Sequence, residues 1–244
     1  MCGSPVFHYD HMIEYSTVEE HDPENITLLY PGHHHEKTVG RLPTHVVQKH
    51  NASPFHASAQ STGSLPLYFS APLNNFMFVL GSNPFVIDLA EGKQSTVIEV
   101  DGGPVLAVKL ADGIPLLRVS LRDADNRRVL RVRDNELTYA LHKWDVQFVG
   151  NNLTIWDARR NIGLVVEFHD IYLQIVRGNF YANGYQFNVE NGMLTTGGIA
   201  LSNQYFNGSI IAGTGAAAAS ERPIQESESR IILRESQRSR RFWN

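Results

Sequence analysis

Two Asn-Gly pairs, Asn183–Gly184 and Asn191–Gly192, punctuate segments that alternate apolar and polar side chains, and nothing else constrains the chain as strongly. A two-residue hairpin turn of type I′ needs positive φ at both central positions, which Asn and Gly reach most cheaply. Gln147 to Val149, Leu153 to Trp156, Gly163 to Phe168, Ile171 to Val176 and Tyr185 to Val189 each alternate or run apolar. The other turns are Asn151–Asn152 and Ala158–Asn161. Short strands at a spacing of roughly 8–12 residues predict a mainly antiparallel sandwich, meander or roll. This pattern extends from Leu65 to about Gly213, without a repeat exact enough for a solenoid.

The remainder has a different texture. Nine of the eleven histidines fall in the first 56 residues: His8, His11, His21, His33, His34, His35, His45, His50 and His56. The chain therefore reads as a head over 1–56, a small polar linker over 57–64 (ASAQSTGS), a β-rich domain over 65–213 and a polar tail over 214–244, with a short helix placed at Ile231–Arg240.

Several classes of protein are excluded. No run approaches 18 apolar residues, so no membrane span is expected, and the N-terminus lacks a basic segment followed by an apolar run. A single cysteine rules out an intramolecular disulfide framework and suggests a reducing, cytoplasmic setting. A formal net charge of −4 argues against a broadly basic surface, though not against an enzyme that touches a few phosphates.

The candidate chemistry lies in DHMIEYSTVEEHDPENITLLYPGHHHEK, residues 10–37. An Asp beside a His near a strand end can place both at a cleft edge, with a second His facing them from a following helix. A carboxylate and an imidazole suit a divalent metal, and the other imidazole is left as a base. Asp10-His11, then Asn25-Ile26-Thr27-Leu28-Leu29, then His34 with Lys37 three residues on, resembles the HNH endonucleases over about the first 50 residues. The resemblance implies an α+β protein: a small ββα-metal (HNH) head followed by a mainly antiparallel β domain.

It also implies roles. His11 would be the general base toward the attacking water, and Asp10 and His34 would ligate one divalent cation, Mg²⁺ or else Mn²⁺ or another first-row ion. Asn25 would tie down the loop between the strands and orient His11. Lys37 would meet a phosphate or face solvent, and His33 would stand behind the ligands or on the surface. The family's structural zinc is not expected: Cys2 has no partner unless the chain starts upstream of Met1, and Tyr30 and His33 stand where a second pair would be. Cys2 reads as an idle thiol. His8 and His11 fall on opposite faces of a strand, so they share no metal.

The expected function is metal-dependent hydrolysis of DNA phosphodiesters, with RNA left open as substrate. The β domain would serve targeting, partner binding or oligomerisation. The rival reading makes the β domain the working part, a structural or interaction module, with the head an inactive remnant. In the β domain, Asp123-Ala124-Asp125-Asn126 reads as a hairpin turn rather than a calcium loop. Arg118, Arg122, Arg127, Arg128, Arg131 and Arg133 cluster there; a phosphate-binding face and a solvated, aggregation-resistant strand edge both account for them. Tyr139, Trp144 and Trp156 read as core or cross-strand aromatics.

Overall fold

The computed structural model describes residues 2–72, 74–143 and 145–213, and residues 229–233 as backbone. Trp144, the side chain of His56 and the rest of the tail lie outside the described residues. The chain divides into two compact units, Met1–Leu65 with Thr138–His142, and Pro66–Leu137 with Lys143–Asn244.

In the first unit, β1 (His8–His11) pairs antiparallel with β2 (Ile26–Leu29), with Asp10 opposite Thr27 and His11 opposite Ile26. Between them lies the single turn α1 (Tyr15–Val18), and α2 (Pro31–Thr38) and α3 (Thr44–Ala52) follow. Pro31 opens α2 at a first-turn position where its missing N–H costs nothing. Met12, Leu29 and Val47 form a small core, with Leu42 packed against it. The segment read as a linker is tied in place. Thr62 is buried, its N–H donates to Tyr139 O at 3.0 Å, and its Oγ1 accepts from Tyr139 N at 3.2 Å. Tyr139 Oη donates to Pro5 O at 2.6 Å.

Strands β3 (Leu65–Pro66) and β10 (Glu136–Tyr139) fall at the boundaries between the units. The second unit holds β4 (Asn75–Leu80), β5 (Asn83–Asp88), β6 (Gln94–Val100), β7 (Gly103–Ala111), β8 (Ile114–Arg122) and β9 (Arg128–Arg133). After β10 come β11 (Asp145–Val149), β12 (Asn152–Ala158), β13 (Asn161–Phe168), β14 (Tyr172–Ala182) and β15 (Tyr185–Glu190). The last are β16 (Met193–Thr196), β17 (Ile199–Leu201), β18 (Phe206–Ala212) and β19 (Ser229–Leu233).

Seven of these close a barrel in the order β4, β5, β18, β6, β7, β8, β14 and back to β4. Strand β14 is the branch point. Its first half pairs with β13 and β4, and its second half with β15 and β8. Alternation sends Phe76, Phe78 and Leu80 of β4, Phe85 of β5, and Leu117, Val119 and Leu121 of β8 into the interior, where all are 2% exposed or less. Each such side chain contributes about 1.5–3 kcal/mol by leaving water. One buried polar group is fully used: Asn83 donates to Leu80 O at 2.9 Å and Leu201 O at 3.1 Å, and accepts from Gln204 N at 3.0 Å.

These two Asn-Gly pairs adopt positive φ at both residues, 46° and 85° at Asn183–Gly184 and 51° and 79° at Asn191–Gly192, and join β14 to β15 and β15 to β16, whereas a third, Asn207–Gly208, runs within β18. Residues 231–233, expected in a helix, run instead in a strand parallel to β18.

The expected α+β class is corrected. Strands make up 53% and helices 12%, and among the described residues there are three α-helices of 4, 8 and 9 residues. The protein is all-β, organised on the closed barrel rather than on a ββα-metal head. Among the described residues, no helix is long and apolar enough to cross a membrane.

Candidate functional site

The face of the β1–β2 ribbon that carries Asp10, Met12, Thr27 and Leu29 is its buried one. Asp10 therefore points where its neighbours are apolar, and a carboxylate there needs a partner. Helix α2 supplies two. His34 and Lys37, three residues apart and so on one face of the helix, both reach it. Lys37 Nζ lies 3.1 Å from Asp10 Oδ2 and donates to Glu14 Oε1 at 2.8 Å. His34 Nε2 stands 3.8 Å from Asp10 Oδ1. The Lys37 side chain is only 4% exposed. Burial disfavours its charge, but the hydrogen bonds and charges of Glu14 and Asp10 outweigh that and raise its pKa.

His34 is held from behind. Thr38 Oγ1 donates its proton to His34 O at 3.0 Å and sits 3.4 Å from His34 Nδ1, toward which it can only accept. With its proton on Nδ1, His34 can donate to Thr38 Oγ1 and leave the Nε2 lone pair for a cation shared with Asp10. The ring of His8 meets His34 edge-on at 6.0 Å.

His11 occupies the alternate position on β1, so its ring leaves the opposite face of the ribbon from Asp10. Its Nε2 is 3.1 Å from His21 Nδ1, and Tyr15 stacks on His21 with ring centres 4.6 Å apart. Asn25 clamps the loop that follows His11. Its Oδ1 accepts from Ile13 N at 2.8 Å, its Nδ2 donates to Ile13 O at 2.9 Å, and its carbonyl accepts from Met12 N at 2.7 Å. His33 turns away, with Nδ1 3.7 Å from Cys2 Sγ. The six residues singled out in the sequence thus separate into a cluster of Asp10, His34 and Lys37, a His11–Asn25 group, and His33 beside Cys2. Glu14, His21 and Thr38 are the partners that spacing alone did not single out. The i+4 placement of Thr38 after His34 was a usable signal once 31–38 was a helix.

Among the described residues no three His, Cys, Asp or Glu side chains converge as a metal cage. Asp10 and His34 are a pair. An octahedral ion with bonds of about 2.0–2.1 Å holds adjacent donors about 2.9 Å apart, so 3.8 Å is a small side-chain adjustment from a shared ion. Mg²⁺ keeps several waters and needs only one or two protein ligands, so the donor set fits. A cavity of about 610 Å³ in the same unit is lined by Tyr9, His21, Leu28, His33 and Phe55 among others, and neither Asp10 nor His34 is among its walls. A site for a polymeric phosphodiester needs an open surface, and the half-exposed His34 provides one.

What fold and site define together is an all-β protein with a nearly buried carboxylate beside a half-exposed imidazole. No family model, curated protein or solved structure matches the chain. The HNH resemblance is therefore corrected: four polar positions within 28 residues agree in spacing, but no family match extends them, and the barrel sets the fold.

Proposed function

We propose that the protein is a divalent-metal-dependent hydrolase of DNA phosphodiester bonds. The observation that carries this reading is Asp10 Oδ1 facing His34 Nε2 at 3.8 Å, with Thr38 Oγ1 3.4 Å from the ring's other nitrogen. A divalent cation held by these two atoms would neutralise charge on the phosphate and its leaving oxygen. Lys37 Nζ holds the carboxylate through its other oxygen. For His11, on the opposite face of the ribbon and beside His21, to accept the proton of the attacking water, the phosphate must lie across the strand end whose following loop Asn25 holds.

A plasmid-nicking assay with Mg²⁺, Mn²⁺ or excess EDTA tests this. Nicking by the full chain that EDTA abolishes, and that His34→Ala removes, supports the proposal; EDTA-resistant nicking or none with any divalent ion overturns it. A second reading is favoured by the Lys37 ammonium on Asp10: the cluster is a structural ion triad, and the β unit is an interaction module. Absence of nicking together with unchanged Mn²⁺ binding in His34→Ala selects it.

A further inference from the structure

On the outer face of β8 and β9 the register sets Arg118 directly opposite Arg133 and Arg122 opposite Arg128, with Arg131 opposite Ser120. The inward residues Val119, Leu121, Leu130 and Val132 are buried, so the arginines line the solvent side. Like charges facing each other across an antiparallel pair are destabilising, and this pairing occurs twice within six residues of strand. Stability does not account for it.

Edge protection does not account for it either. Positive charge on an edge strand blocks aggregation, but β8 is hydrogen-bonded on both sides, to β7 and β9. Arg118 and Arg122 are therefore on a strand with no edge to guard. Local neutralisation is partial. Asp134 lies 3.4 Å from Arg118 and 3.8 Å from Arg133, and Arg122 donates to Asn126 O at 2.8 Å. Arg127, by contrast, is taken up by Asp123 and Asp125 and is not part of the face. Among the described residues, no carboxylate lies within ion-pair distance of Arg128 or Arg131. Burial, with Arg131 and Arg122 close by, lowers the pKa of Arg128, so these guanidiniums feel one another.

We infer that the outer face of β8–β9 is a binding surface for the phosphate backbone of duplex DNA, independent of base sequence. Arg131 and Arg133, two apart on β9, are spaced by about 6.6–6.8 Å, about two 3.4 Å rises of a DNA strand along the helix axis. Guanidinium forks match phosphate oxygens bidentately. On a chain of net charge −4, such a face localises the polyanion rather than coating the whole protein with charge. The inference goes beyond the hydrolase reading and stands without it, because backbone binding needs no metal.

The test is fluorescence anisotropy of the full chain in EDTA with a labelled 24-base-pair duplex, in two unrelated sequences, between 50 and 200 mM salt. Both sequences are expected to bind equally. Arg128→Ala/Arg131→Ala should weaken binding at least about tenfold and make the log–log salt slope shallower by about 2, one for each phosphate left without its guanidinium. Arg128→Lys/Arg131→Lys should restore most of the slope. Should the alanine pair misfold by circular dichroism, Arg118→Gln/Arg133→Gln carries the same expectation. Unchanged affinity and slope in the folded alanine variant overturn the inference, as does binding to phosphatidylserine vesicles in place of DNA. His34→Ala should bind the duplex like wild type. If it loses binding while the arginine variants keep it, the first unit holds the DNA and this inference falls. If nicking fails everywhere but the arginine-dependent binding stands, only the hydrolase proposal falls.

Discussion

Lys37 Nζ stands 3.1 Å from Asp10 Oδ2, so one oxygen of a nearly buried carboxylate is held by an ammonium while the other faces His34. The pair is sheltered enough that losing one member leaves a charge without compensation. Lys37→Met should therefore destabilise the protein by about 3–5 kcal/mol, measured by urea unfolding. Glu14, 62% exposed, is the weaker partner, and Glu14→Gln should cost no more than about 1 kcal/mol.

The same lysine predicts an alkaline limit. Its folded pKa is raised above the ordinary 10.5 by Glu14 and Asp10, against the opposing effect of burial. Below 10.5 both folded and unfolded chains hold the proton, and the pair's contribution is complete. Above it the unfolded chain releases the proton first, and the contribution fades as pH rises through the folded pKa. The difference in Tm between wild type and Lys37→Met should be constant from pH 8 to 10 and shrink by pH 11.5. A constant difference throughout contradicts the assignment.

His11 lies at the surface, so its removal should spare the fold. His11→Ala is expected to reduce nicking about 10²–10⁴-fold with Mn²⁺ affinity unchanged, because it is placed on the face away from Asp10. His21→Ala removes only the group that orients His11 and should give a smaller loss, with a shifted pH–rate profile. Equal losses in both, or a wild-type rate in His11→Ala, would remove His11 from the mechanism.

Metal binding should read out the other face. His34→Ala should weaken Mn²⁺ binding by calorimetry, and Thr38→Val should weaken it less by freeing the imidazole tautomer, a change that typically costs 10–100-fold. Asp10→Asn combined with His34→Ala should be barely worse for nicking than either alone, since groups of one site are strongly non-additive.

The turns were legible because Asn-Gly at 183–184 and 191–192, flanked by alternating strands, readily adopts a conformation few other pairs tolerate, and the same chemistry operates at Asp112–Gly113, where φ is 53° and 72°. Barrel closure was not. It depends on β18 pairing in parallel with both β5 and β6 after more than a hundred intervening residues, and no local pattern encodes such a partner. At the site, spacing brought Asp10, His34 and Lys37 to one place, because strand alternation and the helical i, i+3 relation are local rules. It misjudged their bearing on class: a few polar letters in a short head say little about a chain whose burial is dominated by strands such as β4 and β8. Glu14 and Thr38 matter through interactions that only the helix register reveals.

Residues 57–64, composed of Ala, Ser, Gln, Thr and Gly, would cleave freely as an independent linker. In the structure this segment is divided. Ala57 and Ser58 are exposed, while Ser61 bridges to Ala140, Leu141 N donates to Gln60 O at 3.2 Å, and Thr62 and Tyr139 exchange two hydrogen bonds. Protease should therefore enter near 57–59 and spare 60–63. Because Thr138–His142 belongs to the same unit as Met1–Leu65, the chain passes between the units three times, and one cut frees neither. The two fragments should co-elute on gel filtration and separate only in denaturant. Thr62→Val with Tyr139→Phe removes the Thr62 Oγ1 acceptor and the Tyr139 hydroxyl that donates to Pro5 O. Each buried hydrogen bond removed leaves an unsatisfied partner at about 1–3 kcal/mol, and in this variant cleavage should extend to 60–63. Cleavage of the wild type through 60–63, with a free fragment beginning near Leu65, would mean that the segment is a linker after all and that the 138–142 strap does not hold it.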